Sequence, residues 1–234
     1  MRGQNLSALI DRTGADLNNV FKEQIPPADV LGDIPDRIAD IGAAIGMVAE
    51  AASKFNLQAA AKVRTVALKV GNSADTMCRM KEQLKNRQIT IPIEIQVSAH
   101  KNAGYTFLEE VGRAIKQGID SVREPQLRGE RDLERIIKND VIEVVDICDL
   151  ELNSRGGIRE IEAALNELFS AARLKQILPA RNEPFQAIKH DLIRYMDDPT
   201  VGSQSIVEVV RRGFYRLDVD QQQPFRKATV LVNR

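Results

Sequence analysis

Two histidines, two cysteines and no excess of either charge are all that this chain of 234 residues brings to conventional site chemistry. Each scarcity removes a class of function. Cys78 and Cys148 lie far apart, with neither metal-ligand spacing nor a disulfide framework, and Cys148 reads as a small buried hydrophobe. His100 and His190 are joined by no HExxH, no Cys/His cluster and no G-x-S-x-G elbow. His190 stands beside Asp191 on an expected helix, where adjacent side chains diverge by about 100° and form no dyad. The 33 basic and 33 acidic residues cancel, so bulk attraction to nucleic acid or to an anionic membrane is not expected. Neutrality suits self-association. No apolar run approaches the ~18 residues of a membrane span, and the first residues show no signal-peptide core. A cytosolic compartment follows as the expectation.

Glycine-rich phosphate loops are missing too. "ITIPIEIQVSAHKNAGYTF" (89–107) runs strand, loop, glycine, helix, which is the order of many nucleotide sites. It holds one glycine, Gly104, and neither GK[ST] nor G-x-G-x-x-G. Alternation of Ile89, Ile91, Ile93, Ile95 and Val97 with polar residues implies a half-solvated strand, and Pro92 places it at an edge or a bulge. The acidic pairs in "DICD" (146–149) and "DVD" (218–220) lack the oxygen count and turn glycine of a calcium loop. Asp197–Asp198 reads as solvated charge at a helix end. No catalytic residue, metal site or cofactor is expected, and the chain is not read as an enzyme.

What the sequence has is helical periodicity. Residues 1–24 read as a short helix, followed by a proline-rich break. Ile34, Ile38, Ile41, Ile45, Val48, Ala52 and Phe55 form an a/d seam, with Pro35 in the first turn. Val63, Val66, Val70, Ser73, Met77, Met80 and Leu84 form a second, and Asn56, in the left-handed conformation, would turn the chain between them. The pair predicts an antiparallel hairpin, with Gly42, Gly46 and Gly71 allowing close approach. It is either a layer on its own domain or a coiled-coil arm reaching a second subunit. Helices are expected at 104–123 (ended by Pro125 and Gly129), 157–177 and 185–197, and a strand from Val141 to Leu152. C-terminal strands follow at Ile206–Arg211, Tyr215–Val219 and Ala228–Val232, with "DQQQP" turning between the last two. The expected fold is α+β: an N-terminal helical region, 1–86, with its hairpin at 34–86, and an α+β domain, 87–234. In the latter a mixed or antiparallel sheet, including strand 89–98, is covered on one face by helices.

The C-terminal strands carry Arg211, Arg212, Arg216, Arg226 and Lys227, interleaved with Phe214, Tyr215 and Phe225. Such a face can bind single-stranded nucleic acid, stand as a solvated surface over buried aromatics, or meet acidic residues of neighbouring subunits. These five are the candidate interaction residues. The stretch "DDPTVGSQSIVEVVRRGFYRLDVDQQQPFRKATVLVNR", with the strand and helix around 92–116, resembles tailed-bacteriophage tail-terminator and tail-completion (neck) proteins. That resemblance implies a structural assembly protein of a phage or phage-like particle. It would form an oligomeric ring at the tail or neck, with copies of itself and neighbouring particle proteins as partners and the virion as its location. The alternatives are a cytosolic helical adaptor or regulator that binds a partner through the 34–86 hairpin, and a nucleic-acid binder using the basic strands.

Overall fold

A computed structural model describes residues 30–86, 103–155, 159–219 and 223–234. The helix expected in 1–24, the strand 89–98 and His100 lie outside these residues. The protein is α+β, with an N-terminal helical hairpin and mixed and antiparallel sheets.

Helix α1 spans Ile34–Ser53 and α2 spans Leu57–Asn86. Both seams are buried where periodicity places them: Ile38, Ile41, Ile45, Val48 and Ala52 on α1, and Val63, Val66, Val70, Met77 and Leu84 on α2. Among the three glycines only Gly42 meets the other helix, where an added Cβ would sit 3.5 Å from Val70 Cγ1. Asn56 does not turn the chain through a positive φ, as expected. It is an N-cap instead, its Oδ1 accepting the backbone N–H of Gln58 at 2.9 Å and of Ala59 at 3.1 Å.

Helix α3 spans Ala103–Arg135 and runs straight through Pro125. The expected stop at Pro125 and Gly129 is therefore wrong. Gly129 is a packing point, since a Cβ there would come within 3.1 Å of Leu31 Cδ2. A six-residue π-helical segment, Ile136–Val141, leads into α4, Ile142–Arg155. The strand expected over Val141–Leu152 is thus helix. Val141, Val144, Val145 and Cys148 are buried at helical spacing, and that burial overrides the strand preference of β-branched residues. Helix α5 spans Arg159–Ala171, shorter than the expected 157–177, because strand β1 takes Leu174–Ile177.

Strand β2 spans His190–Met196, where a helix was expected. Strands β3, Ile206–Arg211, and β5, Ala228–Asn233, fall as expected, while β4 covers only Gly213–Arg216. β1 pairs antiparallel with β4, and a three-stranded sheet has the order β2–β5–β3, parallel on one side of β5 and antiparallel on the other. Central β5 is buried on both faces. Val230 and Val232 pack with Ile177 and Ile206, and Leu231 packs with Val201 and Val207. Helix α5 lies on the β1–β4 ribbon, with the rings of Phe169 and Phe214 5.1 Å apart.

The chain forms two compact units, each assembled from separated stretches. One holds residues 30–38 and 72–135, the other 39–71 and 136–234. In the first, Met80, Gln83 and Leu84 of α2 face Asp120, Ser121, Glu124, Pro125 and Arg128 of α3 across a cavity of about 330 Å³.

Candidate interaction surface

The basic residues singled out in the sequence are nearly all engaged within the fold. Arg212, between β3 and β4, is buried. Its Nε donates to Asp149 Oδ1 at 2.7 Å, and its two terminal nitrogens grip Glu162 at 3.1 and 2.8 Å. Burial works against the Arg212 charge, but the carboxylates of Glu162 and Asp149 more than offset it and hold the guanidinium more firmly protonated than usual. Asp149 responds differently. Burial pushes its carboxyl above the ordinary range, although Arg212 pulls it down.

Arg226 donates to Asp146 Oδ1 at 2.8 Å and to the carbonyl of Arg212 at 2.9 Å, and lies 5.4 Å over the Phe214 ring. Asp146 and Asp149 stand one turn apart on α4, so the "DICD" pair holds two arginines of the strand region. Arg216 makes a two-point pair with Asp218, both bonds 2.9 Å. Lys227 donates to the Ala187 carbonyl at 2.7 Å and lies 3.6 Å from Asp191. Arg211 is exposed at the end of β3. Gly213 makes the crossing possible. A Cβ there would stand 2.8 Å from Arg226 O and press on the Ala228 nitrogen, leaving no room for any other residue.

His190, the first residue of β2, is buried and faces Phe185 at 5.9 Å between ring centroids. Its Nδ1 accepts the Gln186 backbone N–H at 3.1 Å, which places any proton of the neutral ring on Nε2. Burial lowers its pKa, Glu183 raises it less and Lys189 lowers it further. Asp191, its neighbour, turns away to Lys227. Asp198 is not a helix-end charge but the brace of the loop after β2. It accepts the backbone N–H of Thr200 at 2.9 Å and its hydroxyl at 2.6 Å, and pairs with Arg181. These bonds, Thr200's first, hold its carboxyl below the usual range. Among the described residues no group of three or more His, Cys, Asp or Glu side chains is arranged to hold a metal ion. No described helix is long and apolar enough to cross a membrane.

Reading by residue type missed the surface next to this network. β2 is an edge strand, paired only to β5, and a bulge between Leu192 and Arg194 pushes Ile193 out of register. Ile193 is 53% exposed, Tyr195 46% and nearby Ile188 69%. Most edge strands are guarded by charge or proline. This one presents apolar side chains beside unpaired backbone groups, a combination that accepts a partner. Helical spacing had placed Ile188, Ile193 and Met196 on a buried helix face. The signal that was available is the β-rich run "LIRY" between Pro184 and Pro199.

The model of the GrpE family matches residues 61–234. No curated protein matches the chain. The family match overturns the tail-terminator resemblance, and with it the phage-particle ring, the neck partners and the virion location. A turn, a charged hairpin and an alternating last strand recur in many α+β proteins. A match through four helices and five strands does not arise from those pieces alone.

Proposed function

The chain belongs to the GrpE family, and from that premise we propose that it is a nucleotide-exchange factor for a DnaK-type chaperone, working in the cytoplasm. The observation that carries this reading is the extent of the match, from residue 61 to the last residue, which takes in every described strand. Family members form homodimers and bind DnaK, so a partner-binding regulator, one of the alternatives raised by the sequence, replaces the particle protein.

The exposed edge of β2 is the docking surface under this reading. Ile193 and Tyr195 supply apolar contact, and the arginine–carboxylate clamp behind them keeps the sheet from yielding when the chaperone binds. Exchange requires no bond to be made or broken. The factor need only bind the nucleotide-free chaperone more tightly than the loaded one, and nucleotide affinity falls by the same factor. No enzymatic chemistry is proposed.

The test is release of a fluorescent ADP from DnaK after a chase with unlabelled nucleotide. Added protein is expected to accelerate release in a saturable manner. Release that stays at its basal rate at every protein concentration overturns the reading.

A further inference from the structure

Family match and structure part company at the N-terminal side. The match starts at residue 61, so all of α1 and the first turn of α2 precede it. Yet residues 39–71 belong to the same compact unit as the sheet. Within that unit Ile45 and Val48 of α1, Val63 and Val70 of α2, Val144 of α4 and Leu165 of α5 are all 0% exposed. Lys69 of α2 donates to Asp140 Oδ1 at 2.6 Å, tying the hairpin to the π-helical segment. α4 and α5 are 14 and 13 residues long, lengths at which a helix in water depends on a packing partner.

Proteins of this family form homodimers, and a second copy is one way to cover such helices. Here the cover comes from the same chain. We propose that the tip of the α1–α2 hairpin supplies in cis what a second copy would supply in trans. It closes the helical core that carries the sheet, so a single copy is complete for chaperone binding. The last clause rests on the exchange reading; the closure does not. Covalent attachment makes the closure intramolecular, and its strength is then independent of protein concentration.

The full chain is followed through a wide dilution series by sedimentation equilibrium, thermal unfolding and binding to DnaK. The midpoint of unfolding and the affinity for DnaK are expected to be unchanged across the series, whatever mass is found. A midpoint or an affinity that falls as the mass drops from two copies to one overturns the proposal. Absence of DnaK binding at every concentration, with a dilution-independent midpoint, upholds the closure and overturns the exchange reading. A chain lacking residues 1–56 is expected to lose its sheet or to become concentration-dependent. If that shorter chain keeps the full-length midpoint at every dilution, the hairpin is not the cover.

Discussion

Removing the guanidinium of Arg212 strands two carboxylates, and the one on Asp149 is buried. Glu162 is 40% exposed on its side chain and is rescued by water, so most of the penalty falls on Asp149. Breaking a buried pair from one side costs about 3–5 kcal/mol, because a charge is left without a partner. Arg212→Met is expected at the lower end of that range in urea unfolding at neutral pH. Asp149 already sits above its ordinary pKa through burial, and loss of Arg212 removes the main group pulling it down. The variant's carboxyl then takes a proton at higher pH than the wild type's, which relieves the buried charge. The deficit should be largest at neutral and alkaline pH and shrink as the pH falls through the raised pKa. A deficit that is constant across pH, or below about 1 kcal/mol at neutral pH, would show that the clamp is incidental. The same clamp shows what residue types conceal. Arginines near the C-terminus are visible in the sequence, but their acceptors Asp146, Asp149 and Glu162 lie 80, 63 and 50 residues away. Only the fold brings them together.

At the scale of elements, β2 decides what the sheet offers to a partner. Ile193 and Tyr195 are exposed, so replacing both with serine removes little buried area. Stability is expected to stay within about 0.5 kcal/mol for each surface substitution. Affinity for DnaK is expected to fall tenfold or more, since exposed aromatic and aliphatic anchors carry much of an interface's energy. Calorimetric titration beside a melting curve separates the two effects, and unaltered affinity would move the docking surface elsewhere. The same strand marks where sequence reading stops. The hairpin seams were legible because their apolar residues are in fact buried, and spacing then reports the helix directly. Phe185, Ile188, Leu192, Ile193 and Met196 also fit a helical period, but most of them face solvent and hydrogen bonding to β5 sets their conformation. Pattern analysis assumes that apolar means inside, and an interaction edge violates that assumption. Pro125 misled for a related reason. Proline forfeits one hydrogen bond within a helix, yet the helix persists where tertiary packing holds both sides, as at Gly129 against Leu31 and Ile34.

For the whole molecule, zero formal charge and two histidines pointed away from catalysis and nucleic acid without pointing toward anything. The kinship is spread thinly over residues 61–234, while the eye was drawn to one compact C-terminal stretch. A function made of binding alone leaves no motif, only a surface and a scaffold, but it does obey a strict equality. If the saturating protein weakens ADP binding to DnaK by some factor, saturating ADP must weaken binding of the protein to DnaK by the same factor. For coupling of ordinary strength that factor is roughly 5–150, or about 1–3 kcal/mol. Two titrations measure it independently: ADP into DnaK with and without the protein, and the protein into DnaK with and without ADP. The two ratios are expected to agree and to exceed unity. Equal affinity for the ADP-loaded and nucleotide-free chaperone would mean that the protein shifts no equilibrium, however tightly it binds, and exchange by differential binding would be ruled out for this chain.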